Sequence, residues 1–207
     1  INKIKKVIIY SNEIEYFENT GQILSKGLTT AKLENKYFLK SNNLIYNTKK
    51  DLVNSKDRTE IDIDNENFIN IDNFNLKINK KIISGENLEY FDNLSNKYYI
   101  KKGIYDLEKK VLLGKDVKGY FNKSSFGNIN NDPRVAGLQI YDDSKKTTIN
   151  KGIFTTCKKR DGCPPWTLKA DKIVHDKEKK TINYLNAWLE VYDKPILYFP
   201  KFFHPDP

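Results

Sequence analysis

A chain of 207 residues and 24.2 kDa has room for one large β domain or two small ones. A mean hydropathy of −0.69 makes it wetter than average, yet 13% aromatics (11 Phe, 13 Tyr, 2 Trp) argue against disorder. The formal charge of +9 rests on 36 basic against 27 acidic residues, but only Arg58, Arg134 and Arg160 are Arg; scattered Lys suits a solvated strand face, and no nucleic-acid partner is expected.

In chain order, the pattern is one of strands. Lys6, Val7, Ile8, Ile9 and Tyr10 form an amino-terminal strand candidate. Next comes a weak repeat in which an apolar residue, any residue and Tyr lead into a short polar run and a return to apolar residues. Its copies are Ile14-Glu15-Tyr16 returning at Ile23-Leu24, Leu44-Ile45-Tyr46 returning at Leu52-Val53, and Leu88-Glu89-Tyr90 followed by Tyr98-Tyr99-Ile100. Each reads as a hairpin, with tips at Glu18-Asn19-Thr20-Gly21 and Asn47-Thr48-Lys49-Lys50 for the first two. Ile61, Ile63, Ile69 and Ile71 share one parity, while Phe74, Leu76 and Ile78 take the other, so a turn or bulge is expected near Asn73. Irregular spacing between copies disfavours a strict solenoid, and the spacings of three and four that a helix would need are nearly absent. The expected fold is all-β, an open β-jelly roll of antiparallel hairpins with almost no helix.

Gly, Asn, Ser and Pro cluster over 122–133, a loop or seam dividing jelly-roll repeats over 1–121 from carboxy-terminal strands over 134–207. Those strands include Ile140-Tyr141 returning at Ile149 and Ile173-Val174-His175 returning at Ile182. Both Cys, both Trp and six of the seven Pro lie in this last third. The chain has no Met, and Ile1-Asn2-Lys3 lacks the apolar core of a signal peptide, so it reads as a processed or trimmed piece. No stretch approaches the roughly 18 apolar residues of a membrane helix.

Catalysis is hard to build from these residues. His175 and His204 are the near-neutral acid–base groups, with no nucleophile in a recognisable pattern, and Asp62 with Asp64 reads as a solvated strand face. Cys157 and Cys163 with the two His do not match the short hooks of a zinc site; neither metal nor cofactor is expected. The two Cys are expected to be oxidised, either to each other or to a Cys outside this chain, which implies an oxidising compartment.

The run Gly152-Ile153-Phe154-Thr155-Thr156-Cys157, then Cys163-Pro164-Pro165-Trp166-Thr167-Leu168-Lys169-Ala170 and Ile173-Val174-His175-Asp176, resembles the LptD (OstA) family of outer-membrane lipopolysaccharide-assembly proteins. Asn183-Tyr184-Leu185-Asn186-Ala187, Pro195-Ile196-Leu197-Tyr198-Phe199-Pro200 and Phe203-His204-Pro205-Asp206-Pro207 are similar to the segment that leads into that family's transmembrane barrel. The upstream hairpin repeats loosely resemble OstA-type repeats of periplasmic bridge proteins. The resemblance implies a non-enzymatic module at the periplasmic face of the cell outer membrane, with lipopolysaccharide, a periplasmic bridge protein and, through a barrel absent from this chain, a plug lipoprotein as partners.

On this reading Ile14, Tyr16, Leu44, Tyr46, Ile61, Ile63, Leu88 and Tyr90 share one interior that takes acyl chains. Trp166 and Leu168 extend it, positioned by a local Cys157 to Cys163 bond, because the family's distant Cys are missing. The strand Lys6 to Tyr10 is expected to accept the bridge protein by strand addition. The alternatives are a free-standing bridge protein and a carbohydrate-binding or adhesive surface module.

Overall fold

Period-two alternation of Ile, Val, Tyr and Phe with polar residues cannot bury one face as a helix, but it does so as a strand. The computed structural model describes residues 7–34, 36–64, 67–122, 131–159 and 164–205. They are all-β, with antiparallel registers and no helix among the described residues, the class of a β-jelly roll. The chain forms two compact units, one of residues 1–93 with 102–108 and the other of 94–101 with 109–207. Residues 123–130, most of the expected seam, lie outside the described residues.

The first unit opens with β1 (Val7–Phe17) and β2 (Gln22–Leu33), joined at the expected tip, where Gly21 adopts a positive φ of 65°. Here the sheet divides. Residues Gln22 to Leu24 of β2 pair with β4 (Ile45–Asn47), whereas Leu28 to Leu33 pair with β3 (Tyr37–Asn42). Beyond them, β5 (Leu52–Ser55) continues from β4 and β6 (Thr59–Asp62) from β3, and both rejoin on β7 (Phe68–Lys77). Asn73, in the left-handed region at φ 49°, marks the rejoining point on β7, where the apolar parity flips. β8 (Ile82–Phe91) follows on β7, and the carboxy-terminal half of β9 (Lys97–Asp106) also belongs to this unit, with the Leu107 N–H donating to Lys81 O beside it.

A branched sheet interrupts its own ladder, and buried hydroxyls fill the interruption. Ser25 Oγ accepts from the Leu44 N–H at 2.9 Å and receives the Thr29 hydroxyl at 2.8 Å, while Ser41 and Thr59 hydroxyls meet at 2.8 Å and Ser55 donates to Asn42 O. Around them Ile61, Ile63, Ile69, Ile71, Phe74, Leu76, Ile83 and Leu88 are fully buried. Each such side chain contributes about 1.5–3 kcal/mol relative to exposure, which sets register strongly, because a one-residue slip would turn the whole set outward.

In the second unit β10 (Val111–Tyr120), β11 (Arg134–Asp142), β12 (Lys146–Thr155), β13 (Trp166–Asp176), β14 (Thr181–Val191) and β15 (Lys194–Pro205) are neighbours in chain order. Tight turns carry capping carboxylates. Asp143 accepts from the backbone N–H groups of Lys145 and Lys146, and Asp176 from that of Lys179.

Candidate functional site

Residues directly opposite in an antiparallel pair lie on the same face, so the registers trace rows across each unit. One inward row of the first unit runs Tyr16, Ile23, Tyr46, Val53, Leu76, Ile83 across β1, β2, β4, β5, β7 and β8. Ile83, Leu76 and Val53 are buried, Tyr46 and Ile23 are half-buried, and Tyr16 is 62% exposed. The gradient follows the sheet order: among the described residues β1 pairs only with β2, so its inward side chains have a strand neighbour on one flank alone. Burial also raises the Tyr46 phenol pKa, with the Asp51 carboxylate adding to the effect.

The eight residues expected to share an interior therefore fall into two groups. Leu44, Ile61, Ile63, Leu88 and Tyr90 lie in the packed core, where Tyr90 also donates its hydroxyl to Asn67 Oδ1 at 3.1 Å. Ile14 and Tyr16 do not join that interior, although they lie on its face; they stand at an uncovered rim, with Tyr46 between the two groups. Period-two parity specifies the face of a strand but not whether a neighbour covers it.

The second unit repeats this arrangement at its own terminal strand. The row Val135, Phe154, Leu168, Leu189, Leu197 passes from buried residues to Leu197, 49% exposed on β15, which pairs only with β14 among the described residues. Beside it Gly152, Ala170 and Ala187 make a row of small residues that ends on Phe199. Above this row lies an aromatic cluster in which Phe154 is 6.4 Å from Trp166 and 6.1 Å from Tyr184, while Phe202 is 5.7 Å from Tyr184 and 5.2 Å from Phe199. Trp166 is thus half-buried on the rim of this cluster and Leu168 lies beneath it.

His204, considered above as an acid–base group, has both ring nitrogens engaged. Its Nδ1 lies 2.7 Å from Pro205 O, which can only accept, so Nε2 accepts the Tyr184 hydroxyl at 3.1 Å. Burial drives the Tyr184 pKa well above the usual phenol range.

Val7, Ile8, Ile9 and Tyr10 lie on β1, whose far edge has no ladder partner among the described residues; Lys6 lies outside them. Cys157 is half-buried, with Sγ 3.9 Å from Trp166 O and no disulfide partner among the described residues; Cys163, its expected partner, lies outside them. Sequence reasoning missed the aromatics on the reverse face of the first unit. Phe38 and Phe68 occupy the parity opposite to the core residues Leu39 and Ile69, a signal present in the sequence but hidden among so many aromatics.

The site is therefore a pair of apolar inward faces, each uncovered along a terminal strand of an antiparallel all-β unit. Over 63 residues the chain is 27% identical to the LPS-assembly protein LptD of Yersinia pestis bv. Antiqua (strain Antiqua), and equally to that of Yersinia pseudotuberculosis serotype I (strain IP32953). The matched stretch is 30% of this chain and spans only 8% of the length of those curated relatives, a partial similarity to LptD-like proteins. No protein-family profile matches the chain.

Proposed function

We propose that this chain is the periplasmic lipid-conduit part of an LptD-like translocon, which receives lipopolysaccharide from a bridge protein at β1 and passes it from β15 toward an outer-membrane barrel with its plug lipoprotein. The observation that carries the reading is the exposure gradient along inward rows that end on Tyr16 and Leu197. An apolar face normally closes over itself, and one left open along an edge offers acyl chains a surface to lie on without unfolding the core. The partial similarity to LptD supports the same reading. On this reading the module catalyses no reaction and uses no cofactor; its work is to hold one amphiphile in a fixed orientation.

Photo-crosslinking side chains placed at Tyr16, Tyr46 and Leu197 should capture lipopolysaccharide in cells, with yields falling toward the buried Leu88. Capture confined to outward positions such as Ile45 and Glu89 would show that the lipid path runs along the other face.

A further inference from the structure

The reverse face of the first unit carries a second groove of about 770 Å³ that the lipid path does not use. Registers place Lys32, Phe38, Asp62, Phe68 and Phe91 in one row across β2, β3, β6, β7 and β8, all facing away from the core. The neighbouring row holds Tyr10, Thr30, Lys40, Glu60 and Asn70. Phe38, Phe68 and Tyr10 are exposed, the two Phe near the starts of β3 and β7, where large apolar side chains cost solubility and bury nothing.

The chemistry of the groove narrows what can lie in it. Its floor strands β2, β3, β6 and β7 are paired on both sides, so a peptide finds no ladder to extend within the groove; the free ladder edge lies on β1 at its margin. The charges cancel, Lys32 and Lys40 against Glu60 and Asp62, with Lys40 Nζ 3.8 Å from Glu60 and Lys32 Nζ 4.9 Å above the Phe38 ring. A polyanion therefore gains little here, and an anionic bilayer surface gains no more. What remains is alternation of ring, carboxylate, ring: Phe38, Asp62, Phe68 on successive strands. At the usual inter-strand spacing the two phenyl rings are roughly 10 Å apart, about the span of two linked sugar rings. Flat apolar ring faces with acceptors and donors between them complement a neutral, hydroxyl-rimmed ligand whose own faces are apolar.

The geometry points to an oligosaccharide site on this outer face, occupied by uncharged sugars in the sugar chain of the lipopolysaccharide whose acyl chains lie against the inward face. The assignment of this source rests on the proposed function. Both surfaces meet on β1, where Tyr16 lines the inward rim and Tyr10 the outer groove, so one amphiphile can straddle that edge strand with its lipid on one side and its sugars on the other. Hydroxyl-rich sugars cannot follow the acyl chains inward without losing their hydrogen bonds to water, which makes the outer face their place.

The test uses the whole chain and a lipid-free oligosaccharide of uncharged hexoses from the lipopolysaccharide sugar chain, titrated by calorimetry. Binding is expected, weakened roughly tenfold or more when Phe38→Ala and Phe68→Ala are combined and weakened by Asp62→Asn, but unchanged by Phe203→Ala on β15. Because these side chains are exposed, circular dichroism should show the variants folded. In cells, a photo-crosslinker at Phe38 should capture full lipopolysaccharide but not a form trimmed to its lipid anchor, while one at Tyr16 captures both.

Capture at Tyr16 without capture at Phe38, or no binding of the oligosaccharide, overturns the outer site and leaves the conduit standing. Oligosaccharide binding at Phe38 without lipid capture at Tyr16 overturns the conduit and with it the source assigned here. Competition by an apolar peptide or by sugar-free phospholipid vesicles would show a protein or membrane surface instead.

Discussion

At the scale of the residue, two glycines separate two kinds of constraint. A Cβ on Gly137 would stand 2.3 Å from Ile149 Cγ2, so that position is bare because the neighbouring strand's Ile needs the space. Gly27 has nothing within 4 Å but sits at φ +74°, at the division of β2 between β3 and β4, where Asn43 accepts its N–H at 3.0 Å. Gly137→Ala and Gly27→Ala should each cost about 1–3 kcal/mol, by overpacking in one case and backbone strain in the other. The rescues differ. Ile149→Ala should relieve the first and leave the second unchanged, whereas Gly27→Asn should be tolerated, since Asn visits the left-handed region readily. Urea midpoints check this, and equal rescue of both variants by Ile149→Ala would refute the assignment. Neither constraint was legible in the sequence, where Gly137 is simply Gly inside an apolar run and Gly27 follows a polar Ser-Lys pair. The buried hydroxyls Ser25, Thr29, Ser41 and Thr59 were equally hidden, because their role depends on a branch in the sheet that no local pattern announces.

At the scale of the element, most of the strands were legible because alternation, tips and β-branched residues agreed, and the bulge expected near Asn73 coincides with the register shift between Asp72 and Asn75. What alternation could not give is which strand lies at an edge. Ile14 and Tyr16 have the phase of core residues and yet are exposed, for lack of a neighbour. That open edge has a consequence for Ile8 and Ile9. Consecutive residues of an antiparallel strand direct their N–H groups to opposite sides, so one of the two bonds to β2 and the other faces the free edge. Pro at the first removes a ladder hydrogen bond and should cost about 1–3 kcal/mol, while Pro at the second should leave stability nearly unchanged and abolish pairing with the proposed bridge protein. Thermal melts and pull-downs of Ile8→Pro and Ile9→Pro distinguish the two. Equal stability loss with equal binding in both variants would place the partner's contact away from β1.

At the scale of the whole molecule, stability is bounded on both sides by titration, and the signs follow from the partners. The Asp176 pKa is lowered first by the Lys179 N–H, with Lys146 assisting; that of Asp171 by Lys151 and Asn186; and that of Glu86 by Asn73 and Lys102. For Asp72 burial acts upward, but hydrogen bonds from Asn87 and Arg58 outweigh it. Asp143 likewise is lowered against its burial by backbone donors from Lys146 and Lys145. A carboxylate whose folded pKa lies below its unfolded value stabilises the fold above roughly pH 4, and that contribution is lost as the pH falls toward the folded pKa.

The alkaline side runs the other way. The Lys26 pKa is raised by Glu13 and Glu15 and that of Lys81 by Glu34, while burial holds Tyr184 in its neutral form. These contributions are present below about pH 10 and are lost as the pH rises further. The melting temperature should therefore be flat between about pH 5 and 9, and fall outside that window at both ends. Tyr184→Phe separates the groups on the alkaline side. It removes the one buried phenol of the aromatic cluster that must remain protonated, so the alkaline fall should become shallower while the acid limb keeps its shape. An unaltered alkaline limb would assign it to the lysine pairs at the surface. A melting temperature lowered evenly across the plateau would mean that the hydrogen bond from Tyr184 to His204 holds β15 against β14 more firmly than the ring packing around it does.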